Sequence, residues 1–107
     1  MAQSAFDITK TYAKERISFK KPIIKHQAVT FRPTDIATDI EASRLLYQNA
    51  TKLYESRNSC IKESSMAKLF ASEMTKKVCS KAFQILSAYS YMEDYSLERI
   101  YRDVRVC

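Results

Sequence analysis

From Ile61 to Leu86 an apolar residue returns at every fourth position. Met66, Phe70, Met74, Val78, Ala82 and Leu86 form the series, with Ala67, Ala71 and Ile85 beside it. Residues four apart share one face of an α-helix, so the spacing predicts a helix over Ile61–Leu86. A stripe that regular has to be covered by another apolar surface, which points the chain toward helix-on-helix packing. The methionines need no ligand role, because an unbranched thioether at helical spacing fills a core well.

The other segments obey the same period. Ala2, Ala5, Phe6, Ala13 and Ile17, with Tyr12 on or beside the stripe, predict a first helix over residues 2 to 17. Ser18–Lys25 contains Pro22 and a lysine pair and reads as the turn that follows. A second helix is expected over His26–Ser56, with Ile36, Ile40, Ser43, Tyr47, Ala50 and Tyr54 on one face and Glu41, Arg44, Gln48 and Lys52 on the wet side. Pro33 lies inside that pattern. A proline removes a backbone donor and crowds the preceding turn, so either a kink at Pro33 or a fresh start at Thr34 is expected. Arg57–Cys60 reads as a polar link and Ser87–Tyr95 as a loop. A short last helix is expected over Ser96–Val104, with Ser96 as its cap and Glu98 in its first turn. No strand alternation and no Asn-Gly or Asp-Gly hairpin signal is present. The expected fold class is all-α: an up-down bundle of three long helices and one short one, forming a single domain over 1–107.

Composition excludes several functions. No stretch approaches the run of apolar residues that a transmembrane helix needs, and the start of the sequence has no signal or transit character. Cys60, Cys79 and Cys107 are far apart and His26 is the only histidine, so neither a disulfide framework nor a zinc site is expected; the thiols read as reduced, and a terminal Cys107 is open to oxidation. No nucleophile–base pair and no glycine-rich phosphate loop is present; the chain contains no glycine at all. The net charge is +6, and the excess is local: Lys10, Lys14, Arg16, Lys20, Lys21 and Lys25 stand against Glu15 alone. Such a patch is either a solvated basic face or an attractor of phosphate groups in a dinucleotide, a lipid headgroup or a nucleic acid. No recognition-helix signature accompanies it, so nucleic acid is not the expected partner.

Blocks of this sequence resemble the C-terminal helical domain of acyl-CoA dehydrogenases. YAKERISFKKPIIKHQAV (Tyr12–Val29) is similar to that family's YAxERxxFGKPIxxHQAV. KESSMAKLFASE, FQILSAYSY and ERIYRDVRV follow in the family's order, where the usual text is KEASMAKLFASE, AIQIxGGYGY and ERIYRDVRV. The resemblance covers essentially the whole chain. It departs at the glycines, which are replaced by Lys20, Ser87, Ala88 and Ser90, and at Pro33, where a leucine is usual.

The resemblance implies roles. FAD is the implied cofactor. Arg16 would reach its pyrophosphate across a subunit interface, Phe19 would lie near the adenine, and Ser18 and Gln27 would stand close by. Gln84, Ser87 and Ala88 would meet the flavin nucleotide from the end of the third helix. Taken alone, Arg16 is an ordinary surface charge and Gln84 an exposed helix residue. The run Glu98–Arg105 would be structural. The family's glutamate base lies in a segment beyond Cys107, or on a helix before Met1, so no catalytic residue is expected within these residues. The chain is then a truncated flavoenzyme domain, expected to bind FAD weakly or not at all by itself. Acyl-CoA and electron-transfer flavoprotein are partners implied for the full-length family, in a bacterial cytoplasm or a mitochondrial matrix. The competing reading is a helical interaction module that self-associates through uncovered apolar faces. A basic membrane-surface binder is the remaining one.

Overall fold

A computed structural model describes residues 1–106. Helix α1 (Ala2–Glu15) leads into a minimal antiparallel hairpin, β1 (Ile17–Ser18) and β2 (Lys21–Pro22), and then a 3₁₀ turn over Ile23–Lys25. Helices α2 (Gln27–Glu55) and α3 (Ile61–Leu86) form a long antiparallel pair. Two 3₁₀ turns, Ser87–Tyr91 and Glu93–Tyr95, connect to α4 (Leu97–Asp103) and a last 3₁₀ turn at Val104–Val106. The helical bundle is as expected, and α3 has the expected limits.

The hairpin was not foreseen. Ile17 pairs with Pro22 and Ser18 with Lys21, leaving Phe19 and Lys20 as a two-residue connection. Both have positive φ, 49° and 65°. That combination suits the right-handed twist of a tight hairpin and normally selects Asn-Gly or Gly-Gly. Phe-Lys gives no such signal, so the geometry is hidden from a search for turn residues. Ile17, expected on the first helix's apolar stripe, is instead an exposed strand residue. The buried stripe of α1 is Ala5, Thr9, Tyr12 and Ala13, with the Thr9 hydroxyl donating to the Ala5 carbonyl at 2.7 Å.

Pro33 sits inside α2, so the helix does not start at Thr34. Six residues precede the proline, and Thr30, Thr34 and Thr38 hydroxyls donate to carbonyls one turn back, including those of His26, Thr30 and Thr34. Ser96 precedes α4 as expected but makes no side-chain cap; it sits in the left-handed region, at φ 52°.

The core lies at one end. Ala5 and Tyr12 of α1, Ile36 of α2, Met74, Val78, Ala82 and Leu86 of α3, and Leu97 and Val104 pack together. Asp35 and Asp39 of α2 face Lys81 and Lys77 of α3 at 3.1 Å each, pinning the pair beside this core. Beyond Ile40, and before Met74, α2 and α3 have only each other. Met66 and Phe70, placed in the core by periodicity, are 48% and 37% exposed, and Tyr47 and Tyr54 are 64% and 74% exposed. The stripe continues along both helices, but α1 and α4 reach only half of it. The radius of gyration is accordingly 16.1 Å, against about 13 Å for a compact domain of this length. Cys79 is buried, and burial pushes its thiol above the ordinary value of 9.0. Cys60 is free and borders the uncovered half. The expectation for Cys107 lies outside the described residues.

Candidate functional site

The hairpin is the first element of the site. The Ile23 amide donates to the Arg16 carbonyl at 2.8 Å and closes its base. His26 lies across it, with Nε2 3.1 Å from the Ser18 carbonyl and its ring edge-on to Phe19 at 6.2 Å. Thus the lone histidine braces the loop. Phe19 projects into solvent, 90% exposed. Ser18 is half-buried and Gln27 exposed at the start of α2.

The second element is the end of α3. Gln84, Ser87 and Ala88 are exposed and border a shallow concavity with Phe83, Tyr91 and Tyr101. Ser87 closes the helix at φ 54° and ψ −129°, a region that favours glycine strongly because a Cβ crowds the neighbouring carbonyl. Ser90 is buried, and its hydroxyl donates to the Ser87 carbonyl, tying the turn shut. Of the four glycine replacements, Lys20 and Ser87 therefore stand at positive φ, whereas Ala88 and Ser90 do not.

The two elements meet through a residue that the sequence did not single out. The Arg16 guanidinium carbon lies 5.4 Å from the centroid of the Tyr89 ring, two residues after Ser87. Arg16 takes part in none of the ion pairs among the described residues. Phe19 and Gln27 do not share the concavity with Gln84, so the predicted residues form two groups joined at Arg16 rather than one pocket. No group of metal-ligating side chains occurs among the described residues.

At the far end of the bundle, α2 and α3 border an open groove of about 650 Å³. Ile40, Tyr47, Ala50, Ala67, Ala71 and Met74 give it an apolar lining, with Arg44 at the rim. Arg44 is already paired with Glu41 at 2.8 Å.

Residues 1–107 match the family described as "Acyl-CoA dehydrogenase, C-terminal domain". The chain belongs to the acyl-CoA dehydrogenase family. It is 46% identical over 106 residues to the caffeyl-CoA reductase–Etf complex subunit CarC of Acetobacterium woodii, covering 99% of this chain and 28% of that protein. It is 40% identical to the rat mitochondrial short/branched chain specific acyl-CoA dehydrogenase, covering 99% of this chain and 24% of that protein. Among solved structures, butyryl-CoA dehydrogenase from Megasphaera elsdenii superposes with a TM-score of 0.95 at 31% identity, over 98% of this chain and 27% of the other. The chain thus spans about a quarter of the length of these relatives and corresponds to the family's C-terminal helical domain. The family is one of FAD-dependent oxidoreductases. Among the described residues no helix is long and apolar enough to cross a membrane.

Proposed function

We propose that this domain contributes one wall of an FAD site in an acyl-CoA dehydrogenase assembly, and does not carry the reaction's proton-transfer group. Arg16 carries the reading: an exposed guanidinium with no carboxylate partner, fixed beside a strongly basic turn, suits a pyrophosphate. A planar fork of N–H donors fits phosphate oxygens, and charge-assisted bonds of this kind are the strong ones. The donor set fits the cofactor. Arg16 would meet the phosphates, Ser18 and Gln27 would add polar contacts, and the exposed Phe19 ring would offer the adenine a flat face. Gln84, with the backbone at Ser87 and Ala88, would meet the nucleotide from α3. FAD when bound supplies hydride acceptance; the residues here bind and orient. On this reading acyl-CoA and an electron-transfer flavoprotein belong to the complete assembly, in a bacterial cytoplasm or a mitochondrial matrix.

The open shape of the site sets the expected affinity. Titrating FAD into the purified chain should give a weak, salt-sensitive change in flavin fluorescence. Arg16→Gln should weaken it about ten-fold, since a hydrogen bond to a charged group contributes about 1.5–3 kcal/mol. An identical response in the variant would remove the basis of the reading. Tight stoichiometric binding would show that the wall is a whole pocket.

A second reading rests on the groove. We propose that a second copy of this chain covers it, the α2–α3 pair of one copy against that of the other. Tyr47 and Tyr54 of the lining are 64% and 74% exposed. At about 150–250 Å² per fully buried ring, they can supply up to about half of the ~800 Å² per partner that a stable interface needs. The cations Arg44, paired with Glu41 on its own helix, and Lys68, whose ammonium donates to the Ser72 hydroxyl at 2.9 Å, border the groove. Sedimentation across a dilution series should show a reversible dimer, and Tyr47→Glu should leave only monomer. A chain that stays monomeric at every concentration would sink the idea.

A further inference from the structure

Three tyrosines from three segments converge behind Arg16. Tyr12 of α1 lies 5.8 Å from Tyr89 and 5.7 Å from Tyr95, ring centroid to centroid, and Tyr89 lies 6.2 Å from Tyr95. The Tyr12–Tyr95 and Tyr89–Tyr95 contacts are edge-on, which places positive ring edges against negative faces. Tyr12 is buried, and its hydroxyl is pushed above the ordinary value of 10.0, first by that burial. The cluster is anchored in the core by Tyr12. Its outermost contact is the Arg16 guanidinium beside the Tyr89 ring.

We propose that Tyr89 is a positioning residue for Arg16: the tyrosine cluster holds the guanidinium over a ring and leaves its donors free for a phosphate. This rests on the phosphate reading of Arg16 given above. An arginine at the end of a helix ordinarily samples many rotamers, and fixing them on binding costs up to ~2 kcal/mol. Contact with a ring removes much of that freedom in advance and spends no N–H donor, which a carboxylate partner would do. The ordering also joins the two groups of candidate residues. Arg16 belongs to the hairpin, whereas Tyr89 moves with the turn that begins at Ser87. A shift of that turn would carry the guanidinium with it.

The test uses the whole chain and inorganic pyrophosphate. In a nitrogen-labelled sample the Arg16 Nε–Hε resonance, identified by its loss in Arg16→Lys, is expected upfield because of the Tyr89 ring current. Tyr89→Phe should keep both that shift and the pyrophosphate affinity, because the ring remains. Tyr89→Leu should move the resonance to the solvent-exposed position and weaken pyrophosphate roughly three-fold, the size expected for losing an exposed cation–π contact. An Arg16 resonance at the solvent position in the unmodified chain overturns the proposal without recourse to any variant. So does a Tyr89→Leu chain of unchanged helicity with an unmoved resonance. If the resonance moves in Tyr89→Leu but pyrophosphate perturbs Arg16 in no form of the chain, the phosphate reading itself falls and takes the positioning role with it.

Discussion

Replacing Lys20, Arg57 and Ser87 together by glycine is expected to stabilise this chain by about 2–3 kcal/mol, net of the extra freedom glycine has when unfolded. For a domain of this size that corresponds to a rise of roughly 10–20 °C in the thermal midpoint. All three residues hold positive φ, at 65°, 56° and 54°. Their backbones are committed there by different structures. Lys20 is in the two-residue hairpin connection. Arg57 ends α2: its own amide donates to the Tyr54 carbonyl and the Asn58 amide to that of Leu53, both at 3.0 Å, a paired closure that normally ends on glycine. Ser87 ends α3 with the additional burden of ψ −129°. The informative control is Ala88→Gly. That position also matches a glycine of the resembling motif, yet its φ is not positive, so the change should lower stability by about 0.5–1 kcal/mol. Thermal or urea unfolding of the single and triple variants measures this directly. A triple variant no more stable than the parent would mean that the three turns carry no strain.

Leu86→Ala should have the largest effect in the opposite direction. Leu86 is fully buried where α1, α3 and α4 meet. Truncation there removes transfer energy and leaves a cavity, together about 2–5 kcal/mol. A domain of this length is stabilised by only about 5–15 kcal/mol, so much of its margin would go. Val106→Ala, at a side chain 90% exposed, should stay within about 0.5 kcal/mol. Urea midpoints for the two variants decide the matter; equal losses would mean that the core is not at this end.

The helices were legible because their period is written in the residues: α3 runs over Ile61–Leu86 with no adjustment, and α2 differs by one residue at either end. What periodicity cannot report is which part of a stripe finds a cover. Met66 and Met74 read alike along the chain, yet one is 48% exposed and the other 8%, because coverage depends on where α1 and α4 end. The hairpin was illegible for another reason. Its connection, Phe19-Lys20, uses residues with no preference for the backbone they adopt, so the pairing has to be imposed by the flanking helices and by the Ile23 amide. Within the candidate site, Arg16 and Phe19 were found through motif likeness. Tyr89 and His26 were missed because each acts through a contact across the fold, to Arg16 and to the Ser18 carbonyl, and sequence distance conceals both.

The one-sided packing gives a single rod two stabilities. Helix α3 begins where only α2 accompanies it and finishes inside the core, one residue before the strained Ser87. Amides near Ile61 can open by brief unravelling of the free tip, whereas those near Val78 open only when the core does. Anything that clamps the tip removes those unravelled states, and should slow amide exchange near Ile61 while leaving exchange near Val78 unchanged.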